Sequence, residues 1–257
     1  MPGNTSAPGV SVTQRVLAIL AAFDEGHRDL RLSEIAGRAD LPLATAHRLV
    51  GELVSGGALR RTPRGSYVVG RRLWQLGLLA PVQTGLREVA SPFLHDIYGA
   101  TLATVHLAVR DGTQVLYIDR LSGSASVPVV SQVGSRLPMH ATGVGKVLLA
   151  HAPEDVQRAV LADLTRVTAH TITQPGRLER QLARVRAEGY ATTVEEMSLG
   201  ASSVAVPIHE RDGPRVVASL GLVVASLRRD RARLVAALTV AAQGIRRSLP
   251  AGGHRSS

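Results

Sequence analysis

The stretch from Leu32 to Leu76 constrains the fold of this chain more than any other segment. Its first part predicts a short helix capped by Ser33, because a serine hydroxyl can accept a backbone N–H of the first turn. Pro42 disfavours helix at the residue before it and can itself begin the next helix. That second helix is expected from Leu43 to Ser55, with inward apolar residues at helical spacing. The segment therefore predicts two helices joined by a tight turn.

A basic hairpin is predicted directly after the second helix. Two short strands, Ala58–Arg61 and Ser66–Val69, flank the turn sequence Thr62–Gly65. Upstream, apolar residues at helical spacing predict a first helix from Ser11 to Glu25. Helix, tight turn, helix and basic hairpin is the order of a winged helix-turn-helix, whose second helix enters the DNA major groove.

The distribution of charge supports a nucleic-acid partner. The formal net charge is +10, and no acidic residue lies between Glu52 and Glu88. The same interval holds six arginines, most of them on or beside the predicted hairpin: Arg60, Arg61, Arg64, Arg71, Arg72 and Arg87. Arginines beside a recognition helix are suited to phosphate contact, and the alternative is a solvated charged hairpin.

The outward side of the second helix provides the candidates for DNA contact. Arg48 can bind a guanine or a phosphate, but a salt bridge to Glu52, four residues on, is the structural alternative. Thr45 and His47 can hydrogen-bond to phosphates or base edges. The full set predicted to contact DNA comes from this helix and the hairpin: Ala44, Thr45, His47, Arg48, Arg60, Arg61, Arg64, Ser66 and Tyr67.

Composition limits the remaining classes of protein. The 257 residues contain no cysteine, so neither disulfides nor thiolate metal sites are expected. Residues 1–10 are expected to be a disordered lead and not a signal peptide. No apolar run is long enough to predict a membrane helix, so a soluble, cytoplasmic protein is expected.

Beyond the winged helix, residues 11–77, the pattern predicts a linker helix and a second domain. Residues 78–98 carry an apolar stripe that suits either a dimer contact or packing on the second domain. Residues 99–249 alternate strands, one of them expected at Ser126–Val133, with helices such as Pro175–Glu188. An antiparallel sheet with helices makes this an α+β domain, and residues 250–257 are expected to be a disordered tail.

Four segments, in order, resemble the IclR family of bacterial transcriptional regulators. They are the first helix SVTQRVLAILAAF, the helix-turn-helix LSEIAGRADLPLATAHRLVGELVSGGALRR, the segment GSRLPMHATGVGKVLLA and the segment EGYATTVEEMSLGASSVAVPI. The resemblance spans almost the whole chain. It implies a winged helix, a linker helix and a GAF-like effector-binding domain, assembled as a homodimer or a dimer of dimers on double-stranded operator DNA.

The resemblance also implies an effector pocket in the second domain. Carried over by position, its residues are Gly143, Thr193, Ala201, Ser203, Gly221 and Val223. Relatives that bind small polar carboxylates have Asp, Cys and serines at four of these positions, where this chain has Thr193, Ser203, Gly221 and Val223. We therefore expect a larger and more apolar organic acid, an aromatic one included, with its carboxylate at the start of the helix after Gly143.

Other chemistry is not predicted by the sequence. Lys146 follows two glycines, but the spacing of a phosphate loop is missing, so a structural ion pair is expected instead. Glu195 and Glu196 are neighbours on an extended segment and should point apart, which disfavours paired catalytic carboxylates. The nine histidines are scattered, and Ser202 lacks the glycine of a nucleophile elbow. No metal, cofactor or catalytic residue is expected.

Two alternatives to a ligand-responsive regulator stay open. One is an enzyme or small-molecule sensor domain that carries a vestigial winged helix. The other is a non-specific architectural DNA-binding protein that uses the basic residues of the last helix, an interpretation that leaves the α+β domain unexplained.

Overall fold

The computed structural model describes residues 11–24, 26–77, 84–124 and 126–250. The chain divides into two compact units, Met1–Val82 and Gln83–Ser257. The expected disordered lead, most of the expected tail and the first part of the expected linker helix lie outside the described residues. Within the described part of the chain, no helix is long and apolar enough to cross a membrane.

The first unit is a small helical domain with a three-stranded antiparallel sheet. Its elements are α1 (Val12–Ala21), β1 (Asp29–Leu30), α2 (Leu32–Arg38), α3 (Leu43–Ser55), β2 (Leu59–Arg61), β3 (Tyr67–Val69) and α4 (Arg71–Gly77). The strand order is β1-β3-β2, so β2, β3 and the turn between them form the wing. One apolar core joins the helices to the sheet through residues such as Ile19, Ile35 and Leu49, each fully buried.

The first two helices both begin at a capped residue. For α1 this is Ser11, but for α2 it is not the residue that was predicted. Ser11 caps α1, since its hydroxyl accepts from Gln14 N–H at 3.1 Å and the Gln14 side chain accepts from Ser11 N–H at 2.8 Å. The prediction that Ser33 caps α2 is wrong. The cap is Arg31, whose backbone N–H donates to the Glu34 carboxylate at 2.6 Å, and Ser33 lies within the first turn.

The second helix of the motif is confirmed as predicted. α3 begins after Pro42 and ends at the Gly56 cap. The tight turn before it includes Asp40, which has a positive φ of 51°. Just before α2, Asp29 and Leu30 form β1, which pairs with β3.

The second unit is built on a six-stranded antiparallel sheet. Its elements are α5 (Thr84–Thr101), β4 (Thr104–Asp111), β5 (Gln114–Leu121), β6 (Arg136–Pro138), a 3-10 turn (Met139–Ala141), α6 (Gly143–Ala150), α7 (Glu154–Ala162), α8 (Pro175–Glu188), β7 (Ala191–Val194), β8 (Ser202–His209), β9 (Val216–Val224) and α9 (Arg231–Ser248). The strand order is β6-β5-β4-β9-β8-β7. This confirms the α+β class.

Helices cover both faces of this sheet. α5 and α9 pack on one face, and α6, α7 and α8 form a second core on the other. The apolar stripe of the expected linker helix is in the first of these cores: Leu86, Leu94 and Ile97 are buried there. The described part of that helix therefore belongs to the core of the second unit.

The strand predicted at Ser126–Val133 does not form. The described residues of this segment are irregular, and β6 lies further along, where Arg136–Pro138 pairs with Gln114–Leu116 of β5. Pro128 explains part of the difference, because proline cannot donate a hydrogen bond to a neighbouring strand. The segment instead forms a loop, here called the roof loop (residues 126–133), over one face of the sheet.

Candidate nucleic-acid interface and effector pocket

α3 presents a polar face to solvent. Its inward residues Ala46, Leu49 and Val50 have no exposed surface. Of the predicted DNA contacts on this helix, Ala44, His47 and Arg48 are exposed and Thr45 is half-buried. A helix held on one side by apolar packing and bearing hydrogen-bonding side chains on the other is suited to a DNA groove.

Arg48 is paired with Glu52 on the same helix. The guanidinium donates to the carboxylate at 2.6 Å, and both side chains are more than half exposed, at 58% and 60%. The structural alternative for Arg48 is thus present in the DNA-free protein. An exposed i,i+4 pair contributes only about 0.3–0.5 kcal/mol, so a DNA contact can replace it at small cost.

The wing carries its arginines on the surface. Arg60, Arg61 and Arg64 are exposed. The tip is a turn in which Thr62 C=O accepts from Gly65 N–H at 3.0 Å, and Gly65 has a φ of 83° that favours glycine. Among the described ion pairs, none involves these arginines or Arg71 and Arg72. The wing therefore presents free positive charge.

Two predicted DNA contacts on the wing are not at its surface, which corrects that prediction. Ser66 and Tyr67 are each 8% exposed. The Ser66 hydroxyl hydrogen-bonds to the Thr62 hydroxyl at 2.6 Å and closes the turn, while the Tyr67 ring packs in the core. These side chains shape the wing and do not face solvent.

The second unit contains a cavity between the sheet, the roof loop and the start of α6. The volume of this cavity is about 50 Å³. All six residues predicted for the effector pocket line it: Gly143, Thr193, Ala201, Ser203, Gly221 and Val223. The positions implied by the family resemblance thus come together from four separate segments.

Most other lining residues are apolar or uncharged polar side chains. They are His106, Tyr117, Val129, Val130, Ser131, Leu137, Thr142, Val144, Met197, Ser198, Ser202, Val204 and Leu222. The lining contains no Asp, Glu, Lys or Arg. An acid bound here would therefore have to be held by backbone N–H groups and hydroxyls.

Two glycines let α6 approach the sheet closely. A Cβ on Gly221 would lie 2.7 Å from Val144 Cγ1, and a Cβ on Gly143 would lie 2.5 Å from Ser203 Oγ. A side chain at Gly221 would push Val144 and the start of α6 away from β9, and one at Gly143 would displace the Ser203 hydroxyl. The glycines therefore set the depth of the cavity.

The start of α6 forms one polar end of the cavity. Thr142 caps it, and its hydroxyl accepts from Gly145 N–H at 3.2 Å. The N–H groups of Gly143 and Val144, the first two residues of the helix, have no acceptor within it. Beside them, the hydroxyls of Thr193 and Ser203 hydrogen-bond to each other at 2.6 Å. These groups can hold a carboxylate.

A second polar group on the opposite side was missed from the sequence. His106 on β4 is 3% exposed, and its Nε2 lies 2.7 Å from Ser131 Oγ of the roof loop. The imidazole packs edge-to-face on the Tyr117 ring with 4.9 Å between centroids. Burial, together with the charge of Arg120, lowers the pKa of His106 to about 3, so the ring is neutral near pH 7.

Tyr117 stays protonated for a similar reason. Burial raises the pKa of its phenol, against a smaller opposing effect of the Thr142 hydroxyl. Only the alternation of β4 and β5 could have indicated that these side chains share a face. The contact to Ser131, 25 residues away from His106, carries no signal in the sequence.

Lys146 forms the expected structural ion pair. Its Nζ donates to both carboxylate oxygens of Glu196, at 2.6 and 2.7 Å, and to Gln181 at 2.7 Å. Burial lowers the pKa of Lys146 and raises that of Glu196, and the attraction within the pair acts against both shifts. Glu195 points away and lies 3.5 Å from His170, so the two carboxylates do not share a site.

The buried pair ties α6 to the segment that forms the cavity wall. Glu196 directly precedes Met197 and Ser198, which line the cavity. Among the described residues, no group of three or more His, Cys, Asp or Glu is arranged to hold a metal ion.

A winged helix-turn-helix joined in one chain to an α+β domain with an uncharged cavity defines a transcriptional regulator that responds to a small molecule. Comparison with known proteins gives the family. Residues 12–63 match the IclR helix-turn-helix domain, and residues 80–247 match the C-terminal domain of the bacterial transcriptional regulator IclR. The chain belongs to the IclR family of bacterial transcriptional regulators.

Similar proteins extend over nearly the full length. The HTH-type transcriptional regulator XynR of Escherichia coli is 33% identical over 88% of this chain and 91% of its own length. The glycerol operon regulatory protein of Streptomyces coelicolor is 33% identical over 96% of this chain and 99% of its own. The crystal structure of an IclR homolog from Microbacterium hydrocarbonoxydans, complexed with 4-hydroxybenzoate, has a TM-score of 0.88 at 36% identity and covers 93% of this chain and 99% of that one.

Proposed function

We propose that this regulator binds operator DNA through α3 and the wing, and that an aromatic carboxylic acid in the cavity changes that binding. The choice of an aromatic acid rests on the lining of the cavity. It includes no Asp, Glu, Lys or Arg, and the imidazole of His106 is neutral. Such a lining suits an apolar body with one acidic group.

Two further points support an aromatic acid. The two helical N–H groups at the start of α6 and the hydroxyls of Thr193 and Ser203 provide a place for one carboxylate. In addition, the similar homolog from M. hydrocarbonoxydans was crystallised with 4-hydroxybenzoate. Small polar acids such as glyoxylate would leave most of the apolar lining without contact.

We further propose that the protein acts in the cytoplasm as a homodimer or a dimer of dimers on a roughly palindromic operator. Two copies of a winged helix read two half-sites, so operator symmetry follows protein symmetry. The assembly is the one that the IclR resemblance implies. We also propose that the cavity binds its ligand without converting it, because Lys146 and Glu196 are engaged with each other and Glu195 lies apart from them, next to His170.

Calorimetric titration of the purified protein with benzoate, 4-hydroxybenzoate and glyoxylate tests the ligand class. We expect the aromatic acids to bind and glyoxylate not to bind. Binding of glyoxylate alone would exclude the proposal.

A gel shift on the gene's own upstream DNA, with and without each acid, tests the regulatory role. We expect a specific complex whose affinity changes with the acid. If the acid binds but no DNA complex forms, the winged helix is vestigial and a sensor or enzyme domain is the better description. Consumption of the acid during the titration would indicate the enzyme.

A further inference from the structure

Beyond the carboxylate end at α6, the cavity has a second polar end built from residues that no motif of the chain predicted. His106 on β4, Tyr117 on β5 and Ser131 of the roof loop meet there, and all three line the cavity. Each is almost fully buried, at 3% exposure for His106, Tyr117 and Ser131 alike. Polar groups at such burial are placed at a cost and normally have partners.

The hydrogen-bonding capacity of this end is only partly used. His106 Nε2 is engaged with Ser131 Oγ, but among the described residues no hydrogen bond involves His106 Nδ1. The Tyr117 phenol lies near the Thr142 hydroxyl, and a phenol can both donate and accept. A neutral imidazole likewise offers one donor and one acceptor. Capacity therefore remains for a ligand atom.

Two neighbouring polar atoms also lack partners. Thr104 Oγ1 and Arg120 Nε are buried without a hydrogen bond among the described residues. Thr104 is two residues before His106 on β4, and Arg120 is the cross-strand partner of His106 on β5, so both side chains belong to the same face of the sheet. Neither residue lines the cavity, so these two atoms do not mark a place for the ligand there.

The two polar ends lie on strands that are two positions apart in the sheet. His106 is on β4 and Ser203 is on β8, with β9 between them, so the strands lie about 10 Å apart at the usual spacing. Gly221 and Val223 of β9, the strand between these two, both line the cavity. A benzene ring substituted at opposite carbons spans this gap when each end makes one hydrogen bond.

We propose that His106, supported by Ser131 and Tyr117, is the specificity-determining residue of the pocket and recognises an uncharged hydrogen-bonding substituent opposite the carboxylate of an aromatic acid. This inference rests on the proposed aromatic-acid effector and deepens it. The substituent is uncharged because the cavity lining at this end has no charged side chain, and Arg120 is not part of that lining. A hydroxyl or an amino group in the para position fits.

Calorimetric titration of wild-type protein and variants with benzoate, 4-hydroxybenzoate and terephthalate tests the proposal. We expect wild type to bind 4-hydroxybenzoate at least about tenfold more tightly than benzoate. His106→Phe keeps a ring but removes both hydrogen-bonding atoms, so the ratio of the benzoate Kd to the 4-hydroxybenzoate Kd should fall to about one. His106→Gln keeps a donor and an acceptor and should retain part of the ratio.

His209→Phe is the matched control, since His209 is half-buried on β8 and does not line the cavity. It should retain the wild-type ratio. Thermal unfolding checks that each variant is folded. If His106→Phe does not fold, the proposal is tested by the ratio of benzoate to 4-hydroxybenzoate Kd in His106→Gln and Tyr117→Phe, which should be lower than in wild type.

Three outcomes would overturn the inference. An unchanged ratio in the His106 variants would reject the role of His106 while leaving the aromatic-acid effector in place. Terephthalate binding more tightly than 4-hydroxybenzoate would show that the second end takes an anion. Failure of wild type to bind any of the three acids would reject the proposed effector class and the inference together.

Discussion

At the scale of single residues, the buried His106 makes the stability of the folded protein depend on pH. Its folded-state pKa of about 3 lies far below the ordinary value of 6.5, because burial disfavours the imidazolium and Arg120 adds repulsion. The unfolded chain takes up a proton near pH 6.5, whereas the folded protein does so only near pH 3. This residue therefore contributes stability above pH 6.5 that is lost as the pH falls toward 3.

The free energy of unfolding should fall by about 2 kcal/mol between pH 7 and pH 5 through His106 alone. Urea unfolding at both pH values measures the change. Burial also lowers the pKa of His209, so this residue contributes in the same direction. The comparison is therefore made against His106→Gln, which should lose less stability than wild type. Equal losses in the two proteins would show that His106 is already protonated, or accessible to water, at pH 5.

Gly221 controls how closely α6 lies on the sheet. A Cβ there would be 2.7 Å from Val144 Cγ1 and 3.3 Å from Ala205 Cβ, and the short valine cannot move aside. Gly221→Ala should therefore destabilise the protein by about 1–3 kcal/mol through overpacking. The same displacement should weaken binding of the effector at the start of α6.

Gly99→Ala is the matched control for this substitution. Gly99 is in α5 of the same unit, a Cβ added there would have no neighbour within 4 Å, and alanine raises the helix propensity. Urea unfolding and calorimetry compare the two variants. A Gly221→Ala protein as stable as wild type, with unchanged effector affinity, would contradict the close approach of α6.

At the scale of secondary-structure elements, the wing presents exposed arginines on a fixed hairpin, an arrangement that suits phosphate contact. Its turn is fixed by the Thr62–Ser66 hydroxyl pair and the left-handed Gly65, while Arg64 at the tip has no ion-pair partner among the described residues. Tyr67 anchors the hairpin in the core of the first unit. A charged tip on a fixed hairpin gives affinity without base reading.

Arg64→Ala should weaken binding to operator and unrelated DNA alike, and it should lower the slope of log affinity against log salt by about one. Fluorescence anisotropy over a range of salt concentrations measures both effects. Arg180→Ala, an exposed arginine on α8 of the second unit, removes the same charge as a control. Loss of base preference at one position, with an unchanged salt slope, would instead place Arg64 on a base edge.

Sequence patterns predicted the long elements and failed on those that depend on distant partners. α3 and α8 were predicted to the residue, since each has regular apolar spacing and a proline at its start. β1 is only two residues long and exists through pairing with Val68 and Tyr67, which no local pattern indicates. The valines of the roof loop favoured a strand, but β6 pairs with the available edge of β5.

The pocket and the DNA-facing surface also contain residues that a sequence pattern indicates and residues that only distant contacts bring into place. Four of the six carried-over pocket residues, Gly143, Thr193, Ala201 and Ser203, lie in segments that resemble the family, and Gly221 and Val223 join them from β9. His106, Tyr117 and Ser131 lie outside those segments, so only the folded sheet assembles them. On the wing, the hydroxyls of Ser66 and Tyr67 were predicted to contact DNA. Both side chains are instead buried, Ser66 in a hydrogen bond to Thr62 and Tyr67 in the core.

At the scale of the whole molecule, the two units act as a switch only if ligand and DNA binding are coupled. An effector shifts operator affinity only by the difference in its own affinity for the two states of the protein. The coupling is reciprocal, so operator DNA must change effector affinity by the same factor. Titrations of the DNA with and without effector, and of the effector with and without DNA, must therefore give the same coupling factor.

We expect 4-hydroxybenzoate at saturation to change operator affinity by about 5- to 150-fold, the usual range of allosteric coupling. Anisotropy titrations of operator DNA with and without the acid give this factor. Calorimetric titrations of the acid into free protein and into the protein–operator complex give the reciprocal factor. Arg64→Ala should lower DNA affinity in both states and leave the factor unchanged, because the wing tip is not part of the pocket. A factor of one in both titrations, despite tight binding of each ligand, would mean that the two units function independently.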